Sequence, residues 1–158
     1  MTNQNPDRLR LHALIIDEAS RLRGFVDLLV HEEQLLIDGQ ADALMPVADE
    51  KNQRYRQLQK INDDRTRLLA RLGLQQTDAI IRALCQDAPA ALAAWDTVLT
   101  LAREARDRNQ RNGVLIVEHM QHNQAALTTL LAAANQPQLY GPDGQSRPTG
   151  GGRSLGSV

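Results

Sequence analysis

Residues 87–134 read DAPAALAAWDTVLTLAREARDRNQRNGVLIVEHMQHNQAALTTLLAAA, with no proline after Pro89 and with apolar or small side chains recurring at alternating steps of three and four. As a heptad the seam runs Leu92, Trp95, Leu99, Ala102, Arg106, Asn109, Gly113, Ile116, Met120, Asn123, Leu127, Leu130 and Ala134. The pattern predicts one helix over about 88–134, roughly 45 residues and about 70 Å long at the usual helical rise. A helix of that length has to lie against other long helices. Its two ends are apolar, whereas its middle, Arg103 to Gly113, sets Arg106, Asn109 and a glycine where a simple zipper has leucine.

Two partners of suitable length precede it. Asn5, Pro6 and Asp7 make a helix start, with a capping side chain, a proline at the first position and an acid at the positive end of the dipole. This first helix is expected over about 6–38, with Leu11 or His12, Ile15, Ala19, Leu22, Val26, Leu29, Glu33 and Leu36 on its seam. Leu14, Phe25, Leu28 and Leu35 widen the stripe enough for two neighbours. Gly39 ends it, and the short linker turns the next helix back antiparallel.

The second helix is expected over about 41–72, with Leu44, Ala48, Lys51, Tyr55, Leu58, Asn62, Arg65, Leu69 and Leu72 inward and Pro46 near its first turn. Gly73 closes it, and a short helix over 77–85 caps the open end of the hairpin. Trp95 is then an anchor at the end of the core, its indole nitrogen at a wet edge. The fold class is all-α: long antiparallel helices in a coiled-coil-like three-helix bundle, one domain over 1–134.

Beyond Ala134 the composition changes. Residues 135–158 hold Pro137, Pro142, Pro148 and the run Gly150 to Gly152, and too few bulky apolar side chains to offset the entropy of ordering. They are expected to form a flexible tail in which a short peptide around Leu139 and Tyr140 orders on a partner.

The chain has 158 residues, 42% of them hydrophobic but only 3% aromatic, so its core must be aliphatic. Its 18 basic and 19 acidic residues are interspersed, which leaves no lasting positive face for nucleic acid. The single cysteine, Cys85, fits a reducing compartment and reads as a small buried side chain. Nothing near Met1 has the form of a signal peptide, and no apolar run is long enough to cross a bilayer, so a cytoplasmic location without membrane insertion is expected.

No arrangement carries catalysis. His119 and His122 share a helical face, but the order Glu-His-x-x-His is not that of a zinc protease and further ligands would have to come from another helix. Neighbouring carboxylates such as Asp63 and Asp64, or Glu32 and Glu33, are read as solvent-facing, although Glu33 could answer an arginine of another helix. Cys85 has no histidine nearby in sequence to activate it, and Gly150 to Gly152 lacks the lysine of a phosphate loop. No enzyme activity, metal or cofactor is expected. The polar middle of the long helix is either a register device, with Gly113 passing close to another backbone, or drift at an exposed site.

A family resemblance rests on Leu22, Leu28, Leu29, Glu32, Glu33 and Leu36 followed by Leu44; on Lys51 with Leu58; and on Arg67, Leu68 and Leu69 before Gly73. It continues through Asn109 and Asn112-Gly113 to the terminal Leu139-Tyr140-Gly141-Pro142-Asp143-Gly144. In order and spacing the chain resembles the FlgN-like flagellar export chaperones, although Gly150 to Val158 departs from them. The resemblance implies a cytoplasmic, non-catalytic protein that binds hook-associated (hook-filament junction) cargo, prevents premature association, and delivers it to the flagellar type III export gate and its ATPase complex. It implies that the carboxy-terminal portion recognises cargo and that Tyr140, the matching tail tyrosine, docks at the gate. The surplus apolar positions Met120, Leu127, Leu130 and Leu131, with Leu139, are the expected cargo surface. A structural or regulatory coiled-coil homo-oligomer without cargo is the competing reading, and a homodimer is compatible with either.

Overall fold

The computed structural model describes residues 5–134, and over these the chain is helical: α1 Pro6–Ile37, α2 Ala41–Arg71, α3 Asp78–Cys85 and α4 Pro89–Ala134. Local chemistry sets the ends. The Asn5 side chain accepts from the Asp7 amide at 3.0 Å, and Thr77 does the same for Ile80 at 3.3 Å. α1 and α2 both finish on a left-handed glycine, Gly39 at φ 67° and Gly73 at φ 71°. The amides that follow reach back to Leu36 and Leu35 in the first case and to Ala70 and Leu69 in the second. Those bonds satisfy carbonyls that a helix end would leave bare. Pro46 lies inside α2, in its second turn rather than its first.

The described residues fall into two units, one ending at Ile116 and the other beginning at Val117. In the first, α1 and α2 run antiparallel. Arg71 reaches Asp7, Arg65 reaches Glu18, Gln57 accepts from Arg21, and Lys51 reaches Glu32, so partners descend on one helix as they climb on the other. α4 follows α1 in the same direction, as Arg8 pairing with Asp87 just before α4 and Asn112 bonding to Leu29 require.

The core thins along this frame. At one end Leu11, Ile15, Leu69, Ile81, Cys85 and Trp95 bring all four helices together. Farther along, Phe25, Val26 and Leu29 meet Ala105 of α4, with Leu101 of α4 and Leu58 of α2 packed against them, so three helices take part. Beyond that Leu28 and Leu35 pack with Val47, Ala43 and Leu44, all of α2. The free Cys85 thiol is fully buried, and burial raises its pKa.

Inside the broad end sits a buried cation. Arg65 is 4% exposed, ion-paired with Glu18, bonded to Asn62 at 3.0 Å, and stacked with its guanidinium 5.1 Å from the centre of the Trp95 ring. Burial pushes it down to about 10, so it remains a cation at neutral pH and answers the Glu18 carboxylate. Trp95 is buried, as an anchor should be, and its indole Nε1–H donates to Asp78 Oδ1 at 2.8 Å.

Trp95 of the expected seam is buried and Leu92 and Leu99 pack against the core, but the other buried residues of α4 stand one position before that seam. The buried residues are Ala91, Trp95, Val98, Ala105 and Asn112, while Ala102, Arg106, Asn109 and Gly113 are exposed. The seam with larger side chains would have carried the Arg106 guanidinium inward, a cost that a one-residue rotation removes by presenting Ala105 instead. Gly113 therefore makes no close backbone approach, and nothing lies within 4 Å of where its Cβ would stand. Glu32, expected in solvent, is buried, and Tyr55, expected inward, is 53% exposed.

Two outcomes follow. Hydrogen bonding from Trp95 and then from Arg82 holds the Asp78 carboxyl below its usual range, so its contribution is complete above the ordinary carboxylate pKa and disappears as pH falls through the lowered value. The emission of the chain's one tryptophan should stay constant on acidification until that lower range is reached. Replacing Gly113 with Ala should raise stability by about 1 kcal/mol in urea unfolding, the ordinary glycine cost in a helix, and a loss would show that the glycine answers to a contact.

Candidate functional site

Two surfaces carry the residues singled out by sequence. The first lies wholly within the second unit. Met120, Leu127, Leu130 and Leu131 of α4 are 65%, 59%, 65% and 61% exposed, and Val117 at their amino-terminal side is 51% exposed. Met120, Leu127 and Leu131 recur at the helical repeat and share a shallow depression with Asn123, Gln124 and Thr128. From Val117 to Ala134 the only formal charge is Glu118. A helix face this apolar and this poor in charge is chemistry for another apolar surface. Leu139, Tyr140 and Gly141, like the expected tail over 135–158, lie outside the described residues.

The second surface belongs to the first unit and is built around Glu32. This carboxylate is 4% exposed and sits on the apolar stripe of α1, three residues from both Leu29 and Leu35. Lys51 of α2 donates to its two oxygens at 3.0 and 3.3 Å. Asn112 of α4, fully buried, donates from Nδ2 to Glu32 Oε1 at 2.9 Å and to the Leu29 carbonyl at 2.9 Å. Both groups facing that amide are acceptors, which fixes its nitrogen toward them. Its Oδ1 has no hydrogen-bond partner. One turn away, Arg108 of α4 reaches Glu33 at 3.3 Å, the answering arginine that the position of Glu33 on the seam suggested.

The knot thus joins three helices through Glu32, Lys51 and Asn112. Asn109 and Gly113, from the same stretch of α4, take no part and are exposed. The signal for Glu32 as a buried residue was its place among leucines at helical spacing, which the pairing with Glu33 concealed.

Beside the knot a groove of about 520 Å³ opens between α2 and α4. Its floor is Leu22, Phe25, Leu58, Ala102 and Ala105. Its lip is Lys51, Asn52, Tyr55, Arg106 and Asn109, with no carboxylate among the lining residues. The space exists because α4 offers alanines there. Among the described residues no three histidine, cysteine or acidic side chains are placed to hold a metal ion, and no helix is long and apolar enough to cross a membrane.

Comparison with known proteins finds a family match over residues 8–148 to the model described as FlgN protein. The flagella synthesis protein FlgN of Yersinia enterocolitica is 31% identical over 140 residues, covering 87% of this chain and 90% of that one. Its Proteus mirabilis counterpart is 28% identical, over 82% and 85% of the two chains, and that of Salmonella typhimurium is 35% identical, over 57% and 65%. No solved structure matches.

Removing the Asn112 amide leaves a buried carboxylate and a carbonyl without a donor. Asn112→Ala should cost about 1–3 kcal/mol in urea unfolding. Asn112→Asp should cost more at neutral pH, since it sets a second carboxylate against Glu32. An unchanged midpoint in both variants would remove the knot as a stabilising element.

Proposed function

The chain belongs to the FlgN family, and on that premise we propose that it is a cytoplasmic flagellar export chaperone, with a binding role and no catalysis, metal or cofactor. Its cargo is the hook-associated class, held against premature association and handed to the flagellar export gate and its ATPase complex. In this reading α1, α2 and the first part of α4 form a coiled-coil-like three-helix bundle closed by α3.

The observation that carries this reading is the exposed row Met120, Leu127, Leu130 and Leu131 on a stretch with one charge. A cargo helix with a complementary apolar stripe would cover it, as amphipathic helices are recognised elsewhere. Fully burying one such side chain yields roughly 1.5–3 kcal/mol. Four that are already partly covered yield less than about 12 kcal/mol gross, against an association cost of at least about 4 kcal/mol. The row alone therefore gives reversible binding, which delivery needs. Leu139 extends the surface in this proposal, and Tyr140 docks at the gate.

The test uses the full chain. Leu127→Asp with Leu131→Asp should weaken co-purification with hook-associated protein at least tenfold without loss of helicity by circular dichroism, and a chain ending at Ala134 should also lose binding. Cargo affinity equal to that of the parent in the double variant would sink the assignment of the row, and in the shortened chain that of the tail. If the row instead holds a permanent homo-oligomer, sedimentation of the parent will show assembly at all dilutions and the double variant will fall apart without any cargo being involved.

A further inference from the structure

We propose that the groove between α2 and α4 in the first unit is a second docking site, which receives an acidic amphipathic helix of a partner protein. The proposal is independent of the chaperone reading, because none of the cargo row lines this groove.

The dimensions suit two turns of helix. On α2 the lining runs from Lys51 to Leu58 and on α4 from Ala102 to Asn109, each about 10 Å of helix axis at the usual rise. The floor is apolar and is kept open by Ala102 and Ala105, where larger side chains would bring α4 into contact across the gap. Tyr55, half out of the protein at the lip, would be covered by an occupant. α1 closes the bottom with Leu22 and Phe25, so two or three aliphatic side chains at helical spacing could descend between the flanking helices.

Charge decides which helix fits. The lining holds no acid and two cations, of which Lys51 is paired with Glu32 behind the groove and Arg106, which is exposed, is not paired among the described residues. Lys51 directs its ammonium at Glu32, and the third of its donors remains for a carboxylate from outside. Asn52 and Asn109 can meet either sign. A helix with leucines at steps of three and four and glutamates at its edges satisfies the floor and answers Arg106, with the spare Lys51 donor opposite, whereas a lysine-edged helix meets repulsion at Arg106 and no acid on the Lys51 side.

The test measures fluorescence anisotropy of a labelled two-to-four-turn designed peptide, leucines on one face and glutamates flanking them, against a counterpart with lysines for the glutamates. With the full chain, the acidic peptide should bind at least ten times more tightly than the basic one. Ala102→Leu, which fills the floor from an exposed position, should reduce binding at least tenfold, and Arg106→Glu should narrow or invert the preference for acid. Failure of the acidic peptide to bind, equal binding of both peptides, or indifference to both substitutions would each overturn the proposal. Loss of binding in the Leu127→Asp, Leu131→Asp variant with retention in Ala102→Leu would place the peptide on the cargo row and overturn this site alone. Self-association abolished by Ala102→Leu would make a second copy the occupant and likewise overturn it.

Discussion

A carboxylate taken out of water must find partners, and in this protein the Glu32 carboxylate finds them on two other helices. Lys51 supplies the charge and Asn112 a neutral donor that also reaches the Leu29 carbonyl. Burying an ion costs several kcal/mol before compensation, so the three residues are worth little as separate contacts and a great deal as a set. They also define register. A shift of α4 by one residue would present Arg111 or Gly113 to Glu32; Gly113 has no side-chain donor, and Arg111 would bring a second cation to a carboxylate that Lys51 already neutralises.

The buried Arg65 does comparable work at the other end, where it faces Glu18 and lies against Trp95. Between these polar points α4 packs on the core through Val98, Leu99, Leu101 and Ala105, and the groove lies where its side chains are Ala102 and Ala105. The arrangement is consistent: where α4 is aligned by hydrogen bonds, it does not need a continuous leucine seam, and alanines leave usable space.

Helix identity and ends were legible because their causes are local. Asn5, Gly39, Gly73 and Thr77 act through their own backbone neighbours, and each cap stands where composition put it. The inward face of α4 was not legible to the same degree. Heptad reading favours the larger apolar residue, so Leu92 and Leu99 outranked Ala91 and Val98, and only packing against the other three helices makes the smaller face the more buried one. Glu32 was hidden for a related reason, because its partners lie 19 and 80 residues away. The apolar row of α4 was legible from its spacing, and its exposure is a fact of the structure.

The unequal reach of the contacts around Glu32 has a kinetic side. The Lys51 partner closes a chain segment of 19 residues and the Asn112 partner one of 80 residues. Two doublings of loop length cost about 1.2 kcal/mol in closure entropy, and contacts of low sequence separation form first. On closure entropy alone the Glu32–Lys51 contact is the cheaper of the two to form, and the Asn112 contact is the costlier. The buried Glu32 carboxylate is thus answered first by its charge partner on the neighbouring helix, and the amide from α4 completes the set.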